Sequence, residues 1–213
     1  MTQTETVNAT PDLLLPADQI IDGPAVLARI LADLPGPLDT REARAIAVRH
    51  LNEAKASANA ALAAAFAEHP LAARALISAQ SYLTDVLVST TFILAHDHFH
   101  PATNPTTSER LAVLAVGGFG RGEMAPYSDV DLLFLTPWKT TGWVESVIES
   151  MLYMLWDLKL EVGHSSRTIT DCIRQGRDDI TIRTALLEHR FIIGDAQLAK
   201  DMDARLWSDL FRN

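Results

Sequence analysis

The chain has 213 residues, of which 48% are hydrophobic and 21% charged, enough to bury a core in one or two domains and ordinary for a soluble globular protein. Its 18 Lys and Arg against 27 Asp and Glu leave a net charge of −9, which argues against the basic face that a nucleic-acid binder needs to displace counterions from phosphate. A small anionic ligand is still compatible with that charge, because a bound metal supplies positive charge locally.

The single cysteine, Cys172, excludes an intrachain disulfide and reads as a small apolar residue on a helix. Residues 1–9 are polar and lack the basic start and apolar stretch of a secretion signal. The apolar window at 147–158 carries Glu149 and Asp157 and is too short to span a bilayer. A cytoplasmic location is expected, with neither a membrane nor a nucleic-acid partner, and the oligomeric state is left open.

In chain order, residues 1–22 carry Thr, Pro and Asp without periodicity and read as a flexible lead-in, followed by a helical region over 23–100. Asp39-Thr40 offers an N-cap for a helix over 41–68, which contains neither Gly nor Pro and is rich in Ala. Pro70 suits the first position of a second helix running to His98, with Leu76, Leu83, Leu87 and Leu94 as its apolar stripe. The two helices read as a hairpin. Residues 101–108 form a proline-bearing linker, and a second domain is expected over 109–213. Short apolar runs at 111–116 and 130–135 read as buried strands, with a helix over 142–156 between the second of them and a third strand at 158–164. Helices are then expected over 169–174, 179–190 and 195–210. The fold class is α+β: a helical hairpin, then a small mixed sheet with flanking helices.

The informative stretch is Gly117-Gly-Phe-Gly-Arg-Gly-Glu-Met-Ala-Pro-Tyr-Ser-Asp-Val-Asp-Leu-Leu-Phe-Leu135. It is not a dinucleotide fingerprint, since Glu123 stands where the third glycine belongs and Pro126 breaks the helix that the fingerprint needs. It is not a P-loop either, because no Lys-Ser or Lys-Thr pair follows the glycines. Asp129 and Asp131 are two apart on a strand and so share a face. Two carboxylates held that way repel unless a cation lies between them, and Mg²⁺ with oxygen ligands is the natural solution. The glycines let backbone N–H groups approach phosphate oxygens with no Cβ in the way. Asp129 and Asp131 are thus the candidate catalytic metal ligands, and Gly117, Gly118, Arg121 and Ser128 the candidate nucleotide-binding residues. Arg121 suits a phosphate clamp and suits equally a structural pair with Glu123. His164 and Tyr127 are candidate nucleotide contacts, each read as scaffold first, with Tyr127 expected to be partly buried.

The order strand, Gly-Gly, short helical turn and Asp-x-Asp on the next strand resembles the polymerase-beta-type nucleotidyltransferases. The full stretch, with Leu155-Trp-Asp-Leu-Lys-Leu-Glu-Val-Gly-His-Ser-Ser-Arg167 and Thr184-Ala-Leu-Leu-Glu-His-Arg190, resembles the bacterial PII uridylyltransferase/uridylyl-removing enzymes over roughly residues 70 to 200. The resemblance implies Mg²⁺-dependent transfer of UMP from UTP to a tyrosine of the PII nitrogen-signalling protein, by two-metal phosphoryl transfer with release of pyrophosphate. It also implies a third carboxylate on a neighbouring strand, for which Glu161 and Asp157 are the candidates. Members of that family are several times longer, with a UMP-removing phosphohydrolase domain and glutamine-sensing domains. The one His-Asp dipeptide, His96-Asp97, reads as a helix end, so no uridylyl-removing activity is expected of these residues. A nucleotide- or partner-binding module without turnover, and a nucleotidyltransferase using another base or acceptor, are the alternatives.

Overall fold

The computed structural model describes residues 12–34, 36, 41–102 and 106–211. The proposed N-cap at Asp39-Thr40 and residues 1–11 of the lead-in lie outside them. The remainder of the lead-in is not loose: α1 (Ala17–Ile20) forms within it, Ile20 and Ile21 are buried, and Leu13, Leu14 and Leu15 pack on the core. Five aliphatic side chains in nine residues outweigh the absence of periodicity. Helix α2 (Gly23–Asp33) follows, its first turn closed by the Asp22 carboxylate accepting from the Ala25 N–H.

Helix α3 (Arg41–Glu68) has the extent that its Gly- and Pro-free sequence predicts, and it buries Ala43, Ala47, Leu51, Ala58 and Leu62 along one stripe. The second helix, α4 (Ala73–Ile93), starts three residues after Pro70, which lies in the connecting turn closed by the Ala72 N–H on the His69 carbonyl. Leu83, Leu87 and Leu94 of the expected stripe are buried, with Leu76 half-buried beside them. A wider π-helical turn, Leu94–Phe99, ends the helix and contains His96-Asp97. His96 stacks on Phe92, meets the Trp143 ring edge-on, and pairs with its neighbour Asp97, so this dipeptide is packed as a helix end.

Residues 103–105 of the linker lie outside the described residues, and a 3₁₀ turn, Thr107–Glu109, closes it with a Thr106–Glu109 capping box. The sheet comprises β1 (Ala112–Ala115), β2 (Val130–Thr136), β3 (Val162–Thr168) and β4 (Arg190–Gly194), in the order β3-β2-β1-β4. β1 is antiparallel to β2 and β4, whereas β2 and β3 run parallel. Helix α5 (Gly117–Gly120) turns between the first two strands, and α6 (Gly142–Asp157) crosses from β2 to β3. The last helices are α7 (Ile169–Asp178), α8 (Ile180–Leu187) and α9 (Ala196–Leu206).

Two sequence expectations fail here. The third strand starts at Val162 rather than Leu158, because Leu158 caps α6 and Lys159 takes a left-handed conformation (φ 59°) that reverses the chain first. The helix expected over 179–190 stops at Leu187, and Arg190–Gly194 is a strand paired with β1. The sheet is packed on both faces. Val113, Ala115, Val130, Leu132 and Phe134 join the helical region in one continuous core with α4 and α6. Ala112, Leu114, Leu133 and Leu135 pack with residues of α7, α8 and α9.

Candidate active site

Asp131 lies on the second of those faces, at the end of β2 next to the glycine turn. It is the one residue of β2 that is not buried. Asp129 is exposed in the loop just before the strand, near enough for its charge to act on Asp131. Two glycines flank the Asp131 carboxylate. Gly117 takes φ +59°, a left-handed conformation that costs a side-chain-bearing residue energy, and a Cβ there would stand 3.4 Å from Asp131 Oδ2. Across the parallel ladder the register pairs Asp131 with Gly163, and a Cβ on Gly163 would collide with Asp131 Oδ1. Both absent side chains therefore make room for one carboxylate.

Burial pushes the Asp131 carboxyl above the ordinary carboxylate range, and the neighbouring charge of Asp129 adds to the shift. Among the described residues neither acid is ion-paired to a cationic side chain, although eight other arginine–carboxylate pairs form among them. An exposed and a half-buried acid close together, unmatched by a cation among the described residues, fit a hard divalent metal. Two carboxylates are a usual protein share for Mg²⁺, whose remaining ligands are water and phosphate oxygens. No third carboxylate, histidine or cysteine completes a cage among the described residues. Asp157 ends α6 and faces Arg44 at 3.9 Å. Glu161 precedes β3 instead of lying within it; its carbonyl accepts from the Val130 N–H at 2.8 Å, next to Asp129.

The glycine turn is anchored to this pair by its backbone. The Val116 N–H donates to the Asp131 carbonyl at 3.1 Å, and the N–H groups of Gly120, Arg121 and Glu123 return to the carbonyls of Val116, Gly117 and Gly118. The first N–H groups of the turn stay outside its own ladder, as at any helix start. Arg121 adopts the structural pairing, with Nε 2.9 Å from Glu123 Oε2 and Nη1 2.7 Å from Glu188 Oε2, while part of its surface remains in solvent. The Ser128 N–H closes a turn on the Ala125 carbonyl. Tyr127 is fully exposed, with φ 70°, and is not the partly buried scaffold expected. His164 points to the other side of the sheet, edge-on to Phe134 and Trp156.

Two features were not foreseen. Arg190 donates to both Asp85 carboxylate oxygens at 2.8 and 3.0 Å, and also to the carbonyls of Gly120 and Phe119, tying α4 to the glycine turn. Its only signal in the sequence was its place in Thr184–Arg190, a stretch that carried resemblance without a role. A groove of about 620 Å³ opens between α3, α4 and the loop before Asp129, with Lys55, Gln80, Tyr127, Ser128, Lys159 and Glu161 among its walls. It joins residues over 100 positions apart, so no local pattern could announce it.

The Nucleotidyltransferase domain family matches residues 106–186, which hold the glycine turn, both acids and β3. The bifunctional uridylyltransferase/uridylyl-removing enzyme of Cereibacter sphaeroides is 62% identical over 202 residues, 94% of this chain and 22% of that protein. Its counterpart in Ruegeria pomeroyi is 58% identical over 194 residues, 91% of this chain and 21% of the relative. In Rhodospirillum rubrum the enzyme of the same name is 44% identical over 190 residues, 89% of this chain and 20% of the relative. The chain thus carries a nucleotidyltransferase domain and is a relative of the bifunctional uridylyltransferase/uridylyl-removing enzymes, about a fifth of whose length it spans.

Proposed function

We propose that this chain transfers UMP from UTP to a tyrosine of the PII signalling protein and releases pyrophosphate. The observation that carries the reading is the adjacent Asp129–Asp131 pair, which has no cationic partner among the described residues and whose inner carboxylate is lodged between Gly117 and Gly163. Mg²⁺ held by Asp129 and Asp131 would neutralise charge on the triphosphate and on the attacking oxygen. The glycine turn offers backbone N–H groups to the phosphates, and Arg121, partly exposed, can exchange a carboxylate partner for a phosphate oxygen. The tyrosine Oη attacks the α-phosphorus as the bond to the pyrophosphate oxygen breaks, and the tyrosine proton passes to the acidic cluster. An ordinary tyrosine pKa of about 10 makes that loss of the proton the step needing help at neutral pH. Glu161, beside Asp129, is the candidate third carboxylate. Removal of UMP is not assigned to these residues, because His96 and Asp97 are packed at a helix end.

The test is incubation with labelled UTP, Mg²⁺ and PII, run beside the D129A/D131A variant. Label should pass to PII with the parent chain and fall at least about a thousandfold with the variant. Equal labelling by both would remove the acids from the site.

A further inference from the structure

The motif Gly163-His164-Ser165-Ser166-Arg167 was singled out by the sequence, and only its glycine has acquired a role. On β3, Ser165 and Arg167 are in register with Leu133 and Leu135, so they share the sheet face of Asp131. A partly open pocket of about 140 Å³ lies on that face, bounded on one side by α8. Leu133, Ile182 and Leu186 supply apolar walls, and Ser165, Thr181 and Arg167 line it with polar groups. Arg167 is half-buried in the β3 ladder, and among the described residues its guanidinium, which lies near Cys172, has neither a hydrogen bond nor an ion pair. A guanidinium cannot lose its charge to escape that position, so its donors suit an acceptor brought in by a ligand.

Resting on the uridylyl-transfer reading, we infer that this cavity receives the pyrimidine base of the nucleotide, with Arg167, Ser165 and Thr181 reading the edge of the ring. Position comes first. Leu133 and Ser165 lie two residues, about 7 Å, along the strands from Asp131 and Gly163, which leaves the span of a ribose between a phosphate at the acids and a ring in the cavity. Val116, the residue before the glycine turn, borders the cavity as well. Size comes second: a volume of roughly 150 Å³ holds one benzene-sized ring, so a six-membered base fits. The third argument is chemical. Aliphatic walls match the faces of a ring and are poor company for phosphate, whereas a donor-only guanidinium matches a ring carbonyl. The hydroxyls of Ser165 and Thr181 can donate or accept, as a base edge with both carbonyl and N–H groups requires.

Calorimetry on the full chain with Mg²⁺ tests the assignment, using UTP, ATP and inorganic tripolyphosphate, which has no base. The parent should prefer UTP to ATP by about tenfold or more. R167Q should weaken UTP by about tenfold while leaving tripolyphosphate within twofold, and R167K should recover little of the loss because the fork of donors is gone. Should R167Q destabilise the chain, A185L narrows the same cavity from α8 and should exclude UTP while sparing tripolyphosphate. Equal weakening of UTP and tripolyphosphate would make Arg167 a phosphate contact and overturn the assignment, as would unchanged UTP binding in both variants. Failure of the parent to bind either ligand would instead count against the nucleotidyltransferase reading beneath it, and would remove the base site with it.

Discussion

At the scale of single residues, the site depends on two missing side chains as much as on two acids. Gly163 takes no left-handed conformation, so its importance is spatial: Asp131 occupies the volume where a β-carbon would stand. Alanine there should leave the strand as stable as before or slightly more so, since glycine is a weak strand residue. It should also displace the Asp131 carboxylate by a fraction of an ångström to an ångström, a misplacement worth about a hundredfold in rate. G163A should therefore show a near-parental Tm and a transfer rate lower by about two orders of magnitude; a parental rate would show that the carboxylate has slack. The nearness of Asp131 to the Gly117-Gly118 turn was legible because one strand start and one short turn define it. Gly163 was not, since its partner lies 32 positions away across a parallel ladder. Nor was the exposure of Tyr127, which depends on a left-handed turn.

At the scale of elements, sequence periodicity served best where burial is one-sided and continuous, as in α3 and α6, and an unbroken apolar run marked β2, which is buried on both faces. It failed where partners are remote. Only Arg190 of β4 falls in the helix expected over 179–190, and residues 191–194 fall in no expected element; Phe191 and Ile193 pair with Leu114 and Val113, nearly eighty positions earlier. The start of β3 was displaced because the apolar spacing of Leu158, Leu160 and Val162 is real, but its first two members belong to a helix cap and a reversal. The elements are joined by the Asp85–Arg190 pair, which couples α4 to β4 and, through two carbonyls, to α5. Burial pushes the Asp85 carboxyl up while Arg190 draws it back. D85A strands a half-buried guanidinium and should cost about 2 kcal/mol in urea unfolding, discounted from a fully buried pair because both side chains keep some solvent. D85N retains one acceptor and should cost less. Identical losses in the two variants would mean that the pair contributes charge alone.

For the whole molecule, acid is the informative perturbation. Several carboxyls are held below their usual range, but Asp33, Glu109, Asp171 and Asp209 are on the surface, where such pairs contribute little. Asp195 is different: it takes two hydrogen bonds from Arg110, which hold its carboxyl low, and it caps α9 through the Leu198 N–H. A depressed folded pKa means stability present above the unfolded value near ~3.9 and lost as pH falls through the lower folded value. Asp131 and Asp85 have the opposite sign; each is raised, so each opposes folding near neutrality and ceases to do so once protonated. R110A should lower Tm at pH 7, flatten the dependence of Tm on pH below about 5, and converge with the parent in strong acid. Parallel Tm curves at every pH would show that Arg110 acts by packing alone.

The strand order has a last consequence, for traffic. With β3 outermost beside β2, the acids lie one strand in from a rim of the sheet. On the other flank β1, β4 and the glycine turn wall them in. A reactant held by its phosphates can be threaded into such a recess from the front. On the proposed reading, a folded acceptor protein, which cannot be threaded, would present its tyrosine sideways over the rim, where the large groove and the exposed ring of Tyr127 adjoin the doorway.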